Sequence, residues 1–218
     1  MLLVGRDWHR LDRTVADLKV RSPESEIYFE VVNFSDPPVI DATVKRWFDA
    51  QRVDLVLIAH GFLPPEGVTN NLTMCRKTLE INGISPVLYA ESCAVEMKKV
   101  NHGKIALISS VAGDRGRRAN YVYGAAKGLV SRYAEGLQHH LAGSRVKVIL
   151  IKPGPTLTPM TEHLQAPSAE LAPVDRVAKK IVDGINSNAA VVYAPSKWRM
   201  IMMIVRHIPA IIFNRLDI

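Results

Sequence analysis

Three side chains in one stretch of the chain have the types and the spacing that acid–base chemistry requires. Tyr123 lies thirteen residues after Ser110, and Lys127 lies four residues after the tyrosine. The stretch ANYVYGAAKGLVSRYAEGLQ predicts a helix, which places Tyr123 and Lys127 on one face, one turn apart. An ammonium beside a phenol favours the phenolate and lowers a pKa that is otherwise about 10. Such a tyrosine can exchange a proton with an alcohol or carbonyl oxygen near neutral pH.

The serine fits the same chemistry. Ser110 stands at the end of the apolar, strand-like run KIALIS, where its hydroxyl can hold the oxygen that exchanges the proton. Tyr121 is a competing phenol, but Ala125 stands four residues after it, so the pairing with a lysine selects Tyr123. A tyrosine and a lysine at this spacing also share a solvated helix face by chance, and the pair alone would favour that interpretation.

A longer pattern outweighs the chance interpretation. Four polar residues and a turn follow one another along the chain: Asn82, Ser110, Tyr123, Lys127 and, after the run VKVILI, Pro153-Gly154. From the first residue to about Thr161, this order resembles the short-chain dehydrogenase/reductase family. The resemblance implies that the tyrosine is the general acid/base and that the lysine lowers its pKa and holds the nicotinamide ribose. It also implies that the serine positions the substrate oxygen and that the asparagine holds a water in a proton relay.

The chain alternates strand-like and helical patterns. Six short apolar runs (LLVG, EIYFEVV, VDLVLIA, KIALIS, VKVILI and AAVVYA) are separated by helical patterns over residues 8–20, 37–50, 70–99, 120–142 and 173–187. This alternation predicts an α/β fold with a doubly wound parallel sheet, and the resemblance makes it Rossmann-like, with three α/β/α layers. We expect one domain over residues 1–218, with residues 196–218 as a C-terminal amphipathic tail.

The sequence departs from the family at its start. The family begins with a strand and a TGxxxGxG turn, whose backbone lets the cofactor pyrophosphate sit at a helix N-terminus. Here MLLVGRD resembles the family's second strand, so we expect the first βα unit to be absent and the middle of the sheet to have a gap. We expect roughly thirty residues to be missing from the gene model. A chain that starts at Met1 should be poorly stable and should bind dinucleotide weakly.

Composition excludes several classes of protein. A chain of 218 residues can bury a single core, and a mean hydropathy of +0.05 excludes a multi-span membrane protein. Cys75 and Cys93 have no metal-type spacing, and no signal peptide precedes them, so we expect no metal site and reduced thiols in a cytoplasmic protein. A net charge of +7 suits an anionic cofactor, an anionic substrate or an acidic membrane surface, and no motif accompanies it that indicates nucleic-acid binding.

Two positions near the start bear on the cofactor. Dinucleotide enzymes that prefer NAD usually have an acid at the end of the second strand, where this chain has Gly5 followed by Arg6. Arg6 could pair with a 2′-phosphate, so we expect NADP(H) to be preferred over NAD(H). In the alternative interpretation, Arg6 meets Asp7 or solvent. Where the family has an Asp–hydrophobic pair near the adenine, this chain has Asn33-Phe34, whose amide can still bond the adenine.

Further cofactor contacts are implied after the third and fifth predicted strands. Where the family has NNAG, this chain reads Ile58-Ala59-His60-Gly61, so only Gly61 is carried over, and His60 is as readily a packing residue as a contact. The stretch KPGPTLTPM resembles the family's PGxxxT. The resemblance implies that Pro153-Gly154 bends the chain toward the nicotinamide, with the Thr156 backbone and the Thr158 hydroxyl at the carboxamide and pyrophosphate.

Two features bear on the substrate. The loop over residues 113–118 carries three arginines at the expected mouth of the site, which could hold a phosphate or remain a solvated basic loop. The tail is too short and too charged to span a bilayer. It could lie in a membrane interface, with Trp198 at headgroup level, or pack on the substrate pocket or on a dimer partner. Together these stretches resemble one branch of the family, the actinobacterial decaprenylphosphoryl-2-keto-β-D-erythro-pentose reductases of cell-wall synthesis.

These patterns predict a function and an assembly. The function is hydride transfer between a nicotinamide and a ketone or secondary alcohol, with a lipid-linked anionic ketosugar as the implied substrate. The alternative is a truncated, inactive family member that acts as a subunit or interaction partner. The tyrosine helix carries more apolar positions than one covered face needs, namely Leu129, Tyr133, Leu137 and Leu141. We therefore expect a homodimer or homotetramer, in the cytoplasm or at the inner face of the membrane.

Overall fold

The structure is a computed structural model that describes residues 1–64, 71–161 and 171–216. Its strands are β1 (Leu2–Gly5), β2 (Tyr28–Val31), β3 (Leu55–Ile58), β4 (Lys104–Ile108), β5 (Lys147–Pro153) and β6 (Val191–Ala194). Its helices are α1 (Trp8–Arg21), α2 (Pro37–Ala50), α3 (Leu72–Leu79), α4 (Ser85–Val100), α5 (Tyr121–His140), α6 (Val174–Asn186), α7 (Lys197–His207) and α8 (Ala210–Phe213). All six predicted strands and all five predicted helical segments are present.

The strands pair in two groups, all parallel. β1 pairs with β2, and the other four strands form a sheet of order β3-β4-β5-β6. Within the described residues, β1 and β3 are not paired with each other, so the break in the sheet lies where the sequence placed it. Helix α2 packs against α4 across this break, and Ile40 and Val44 of α2 share one core with Cys93 of α4.

The central strands are buried on both faces, which explains their continuous apolar sequences. In β4 and β5, Ile105 and Leu150 contact the core formed with α2, α4 and α5, whereas Ala106 and Ile149 contact a second core with α6. Side chains alternate between the two faces because successive residues of a strand point in opposite directions. The predicted α/β fold, a parallel sheet with helices on both faces, is therefore confirmed.

The predicted helix over residues 70–99 has an irregular middle. A π-helical turn over Glu80–Ile84 connects α3 to α4, and Pro86 follows at the start of α4. One extra residue per turn rotates the side chains of this segment relative to a regular α-helix, and such turns are frequent at functional sites. Asn82, one of the predicted site residues, lies in this turn and is fully buried.

The expected oligomer stripe on α5 is only partly present. Leu137 and Leu141 are buried in the chain's own core, and the Tyr133 hydroxyl donates to Glu91 at 2.6 Å, which leaves Leu129 exposed. The surplus of apolar positions on this helix is therefore smaller than the sequence suggested, because Leu137 and Leu141 belong to the core and Tyr133 packs against it. None of the helices in the described ranges is long and apolar enough to cross a membrane.

Candidate active site

Close packing of a loop against a helix brings the serine to the tyrosine. Ser110 follows β4 and begins a 3₁₀ turn over Val111–Gly113, where its hydroxyl accepts from the Ala112 N–H at 3.1 Å. A Cβ on Gly113 would come within 2.7 Å of the Lys127 backbone. A Cβ on Gly124 would lie 2.9 Å from the Ala112 carbonyl. Glycine at these two positions therefore lets the serine loop lie directly on α5.

The phenol of Tyr123 meets the hydroxyl of Ser110. Burial raises the pKa of Tyr123, and the hydrogen bond with Ser110 opposes the rise in pKa without cancelling it. The expectation that the pKa of this tyrosine is lowered is therefore wrong for the protein alone. The reason is that Lys127 Nζ lies 5.9 Å from the centroid of the Tyr123 ring, while burial penalises the phenolate. The phenol keeps its proton and is a donor at neutral pH.

Lys127 is buried beneath the site with few polar partners. Its Nζ donates to the Ile108 carbonyl at 3.0 Å, and the residue is only 3% exposed. Burial lowers the pKa of Lys127 to about 8. An ammonium has three donors, and in the described part of the chain only the Ile108 carbonyl accepts from it. The lysine therefore holds donors that can bind hydroxyl oxygens of a ligand.

Asn82 connects the π turn to the end of β3. Its Oδ1 accepts from the Phe62 N–H at 2.9 Å, and its Nδ2 donates to the Thr78 carbonyl at 3.1 Å. Gly61 lies directly beside it, because a Cβ there would approach Asn82 Oδ1 to 2.8 Å and Lys127 Nζ to 3.6 Å. The structure thus brings Gly61, Asn82 and Lys127 together. The role of Asn82 in a water relay stays a prediction.

The residues expected near the adenine form an aromatic cluster. Phe34 is buried and stacks on His60 with ring centroids 4.5 Å apart, and the Arg6 guanidinium lies 6.0 Å from the Phe34 centroid. His60 also contacts the Ser85 hydroxyl at 2.9 Å, and burial followed by the charge of Lys127 lowers the pKa of His60 to about 4. The histidine is therefore neutral at pH 7, and its contacts favour the packing interpretation. Asn33 is exposed, and its side-chain oxygen accepts from the Ser35 N–H at 3.0 Å.

The turn after β5 is fixed by its own threonines and by a neighbouring strand. The Gly154 N–H donates to the Ala194 carbonyl at 3.0 Å, and the Thr156 hydroxyl donates to the Gly154 carbonyl at 2.9 Å. Thr161 Oγ1 lies 3.0 Å from the Thr158 hydroxyl and donates to the Thr156 carbonyl. Thr161 was not predicted as a site residue. The sequence feature that could have indicated it is a second threonine three residues after Thr158, whose hydroxyl closes the turn.

The tryptophan of the tail packs on this turn. A Cβ on Gly154 would overlap the Trp198 indole, so only glycine leaves room for the ring. Of the alternatives for Trp198, this contact favours packing beside the site, because the indole covers the end of β5. A tryptophan near a Pro-Gly turn cannot be paired with it from the sequence, since 44 residues separate Gly154 from Trp198.

The arginine loop is fixed to the sheet and to the tail. Asp114 Oδ1 accepts from Lys152 Nζ at 2.6 Å and Asp114 Oδ2 from the Tyr193 hydroxyl at 2.7 Å, and the side chains of Asp114 and Lys152 are 3% and 4% exposed. Neither partner was predicted. Arg115 donates to the Val205 and Arg206 carbonyls at 3.1 and 2.9 Å and lies 4.0 Å from the Phe213 ring centroid.

These contacts change how the three arginines of the loop are interpreted. Arg115 holds the C-terminal end of α7, so it does not face a substrate as the sequence suggested. Arg117 differs, because its Nε is buried with no hydrogen-bond partner among the described residues, and burial lowers its pKa. Arg118 is exposed. The loop therefore retains one half-buried arginine whose Nε has no acceptor among the described residues.

Comparisons with known proteins agree with this geometry. A family model described as short chain dehydrogenase matches residues 1–169. An uncharacterized oxidoreductase of Streptomyces coelicolor is 30% identical over 182 residues, which cover 83% of this chain and 72% of that protein. An uncharacterized oxidoreductase of Mycobacterium tuberculosis is 33% identical over 123 residues, which cover 56% of this chain and 49% of that protein.

Solved structures share the fold at low identity. A short-chain dehydrogenase from Sphingobium yanoikuyae in complex with NADPH superposes with a TM-score of 0.80 at 21% identity, over 96% of this chain and 86% of that one. A short chain dehydrogenase from Burkholderia cenocepacia in complex with NADP gives a TM-score of 0.78 at 16% identity, over 99% and 96% of the two chains.

Proposed function

Because this chain belongs to the short-chain dehydrogenase family, we propose that it is an NADP(H)-dependent oxidoreductase that interconverts a ketone and a secondary alcohol. One observation carries the proposal: the Tyr123 phenol and the Ser110 hydroxyl are hydrogen-bonded to each other, and the ammonium of the buried Lys127 lies 5.9 Å from the phenol ring. That arrangement supplies a proton donor, a second hydrogen bond to the same substrate oxygen, and a fixed positive charge. The alternative of an inactive subunit has no comparable observation in its favour.

The proton moves between named atoms. In reduction, the carbonyl oxygen of the substrate lies between the Ser110 hydroxyl and the Tyr123 phenol, which both donate to it. When bound, the nicotinamide supplies the hydride to the carbonyl carbon. As negative charge develops on the oxygen, the Tyr123 Oη proton passes to it, and the nearby Lys127 ammonium stabilises the phenolate that remains. Oxidation of the alcohol uses the same groups in reverse.

The residues fit a nicotinamide dinucleotide at its nicotinamide end. Among the described residues Lys127 Nζ donates only to the Ile108 carbonyl, so its remaining donors could bind a ribose hydroxyl. The Pro153-Gly154 turn lies at the carboxyl end of β5, where ligands of open parallel sheets bind. Lys127, Thr156 and Thr158 would hold the nicotinamide half.

The adenine half has fewer fixed contacts. Arg6 follows β1 beside Phe34 and supports the preference for a 2′-phosphate, as do the NADPH and NADP complexes among the structural neighbours. Asp7 caps α1 by accepting from the Arg10 N–H at 3.0 Å, and this bond lowers the pKa of Asp7.

For the substrate, we propose an anionic ketosugar on a polyprenyl phosphate. The half-buried Arg117 supports a phosphate contact, since its buried Nε has no acceptor among the described residues and a ligand could supply one. We also propose a homodimer or homotetramer, which the exposed Leu129 on α5 and Val182 on α6 support. Light scattering of the purified protein measures that state directly.

The test of the activity is a matched pair of tyrosine variants. Tyr123→Phe removes the transferable proton and should lower kcat by about a thousandfold or more while NADPH affinity stays within a few-fold. Tyr121→Phe, two residues earlier on the same helix, should retain kcat within a few-fold. The assay follows NADPH oxidation with a panel of ketones, in a protein shown by calorimetry to bind NADPH. Equal activity of both variants would show that Tyr123 is not the acid.

A further inference from the structure

The two helices after β6 present an apolar surface to solvent. Its exposed members, here called the tail face, lie on α7 and α8: Met200, Ile201, Met203, Ile204, Ile211 and Ile212. The opposite side of α7 is the packed one, with Met202 buried and Trp198 set against Gly154. The packed side holds α7 on the body of the protein, so the tail face is a surface of the folded domain.

The charges around the tail face are mainly positive. Residues 197–216 carry four basic residues, Lys197, Arg199, Arg206 and Arg215, and no Asp or Glu before Asp217. A pocket of about 310 Å³ opens at the start of α7, and it is lined by Arg176, Lys179 and Lys180 of α6 together with Pro195–Lys197. Asp183 is the acid among its lining residues. Cationic side chains therefore flank the tail face along its length and at the start of α7.

We propose that the tail face docks on the surface of an anionic phospholipid bilayer. The apolar side chains would enter the boundary between headgroups and acyl chains, and the flanking cations would meet lipid phosphates. The short pocket between α6 and α7 is a place for one headgroup phosphate. This inference goes beyond the proposed oxidoreductase activity and does not depend on it.

Charge favours a lipid surface over a second copy of the chain. A two-fold contact places the same patch on both subunits, so pairing tail faces would bring together two sets of cations that outnumber the acid beside them, Asp183. An anionic lipid surface offers the complementary charge. The face also suits a lipid interface, because its exposed side chains are apolar isoleucines and flexible methionines.

The tail is rigidly connected to the candidate site. Arg115 of the serine loop caps the C-terminal end of α7 and stacks on Phe213 of α8, while Trp198 at the other end of α7 covers Gly154. Docking through the tail face would therefore hold the mouth of the site at a fixed position relative to the lipid surface. That position would allow a lipid-linked substrate to enter without leaving the bilayer.

The experiment is co-sedimentation of the full chain with vesicles. We expect the protein to sediment with vesicles of phosphatidylglycerol and phosphatidylcholine, weakly with phosphatidylcholine alone, and less as salt is raised. The variant Ile204→Glu/Ile212→Glu should weaken binding to the mixed vesicles at least about tenfold. The control Val20→Glu/Val100→Glu makes the same charge change at residues of α1 and α4 that are 83% and 66% exposed, and it should bind like the wild type.

A second variant separates lipid binding from loss of fold. Arg199→Glu/Arg215→Glu leaves the apolar side chains in place and should reduce binding to the anionic vesicles, with circular dichroism unchanged. Wild-type protein that ignores anionic vesicles, or a tail variant that binds them fully, would overturn the proposal. If the isoleucine variant instead turns an oligomer into a monomer while neither protein binds vesicles, the face is a contact between copies of the chain and the lipid proposal is wrong.

Discussion

Asn82 fills the space beside Gly61 so completely that residue 61 cannot carry a side chain. A Cβ there would lie 2.8 Å from Asn82 Oδ1, which is already bonded to the Phe62 N–H. Gly61→Ala should therefore displace a fully buried amide and cost about 1–3 kcal/mol of unfolding free energy, with a fall in NADPH affinity. Urea unfolding and calorimetry measure the two effects.

The matched control for that change is Gly136→Ala. Gly136 is exposed on α5, and a Cβ there would have no atom within 4 Å. Because alanine is the better helix former, this variant should gain about 0.5–1 kcal/mol in unfolding free energy. If Gly61→Ala is as stable as the wild type, the contact between Asn82 and residue 61 does not hold the turn in place.

Burial of Lys127 gives a prediction for the pH dependence of stability. Its pKa falls from 10.5 in the unfolded chain to about 8 in the folded one, so folding disfavours its charge. Below pH 8 both the folded and the unfolded chain hold the proton on Lys127, so folding carries the full cost of burying the charge. Between pH 8 and 10.5 the folded chain loses the proton while the unfolded chain retains it, so this contribution to stability rises with pH.

Lys127→Met tests this sign. At pH 7 the variant should be more stable than the wild type by about 1–3 kcal/mol, because a buried charge is replaced by an apolar side chain. The difference should shrink as pH rises from 8 to 10.5. The variant should also lose activity, since in the proposed mechanism Lys127 binds the ribose and stabilises the phenolate. A stability difference that is constant over this range would contradict the burial of the charge.

The ion pair between Asp114 and Lys152 should behave as a unit. Asp114→Asn leaves the buried ammonium without its counter-charge and should cost about 3 kcal/mol. Lys152→Met leaves the buried Asp114 carboxylate without its counter-charge and should also lower the free energy of unfolding. The double variant should recover at least half of the summed loss, which a double-mutant cycle by urea unfolding measures. Asp17→Asn, in an exposed pair with Arg21, should leave the unfolding midpoint unchanged.

Arg6 should set the choice between the two dinucleotides. Arg6→Asp replaces a cation that can pair with a 2′-phosphate by an acid that can bond a ribose hydroxyl. The ratio of kcat/KM for NADPH to that for NADH should fall about tenfold or more. Arg21→Asp, at the far end of α1, makes the same change in charge and should leave the ratio unaltered. An unchanged ratio in Arg6→Asp would remove Arg6 from the cofactor site.

The sequence predicted the strands and the helices up to α6, their order, and the residues proposed as the acid–base group. Strand and helix periodicities are local, so all six strands and all five helical segments could be predicted from neighbouring residues. The spacing of Tyr123 and Lys127 on one helix is local too. Even the break between β1 and β3 could be predicted, because it followed from comparing the order of the strands with that of the family.

Tertiary structure decided the electrostatics and the long-range contacts. Desolvation of Tyr123 and Lys127 arises from all the elements packed around them, so the rise in the pKa of the phenol could not be read from the spacing. The bonds from Lys152 and Tyr193 to Asp114 join residues 38 and 79 positions apart. Likewise, Trp198 lies on Gly154 only because β5 and β6 are adjacent in the sheet. Such contacts have no local pattern, since chain topology alone brings their members together.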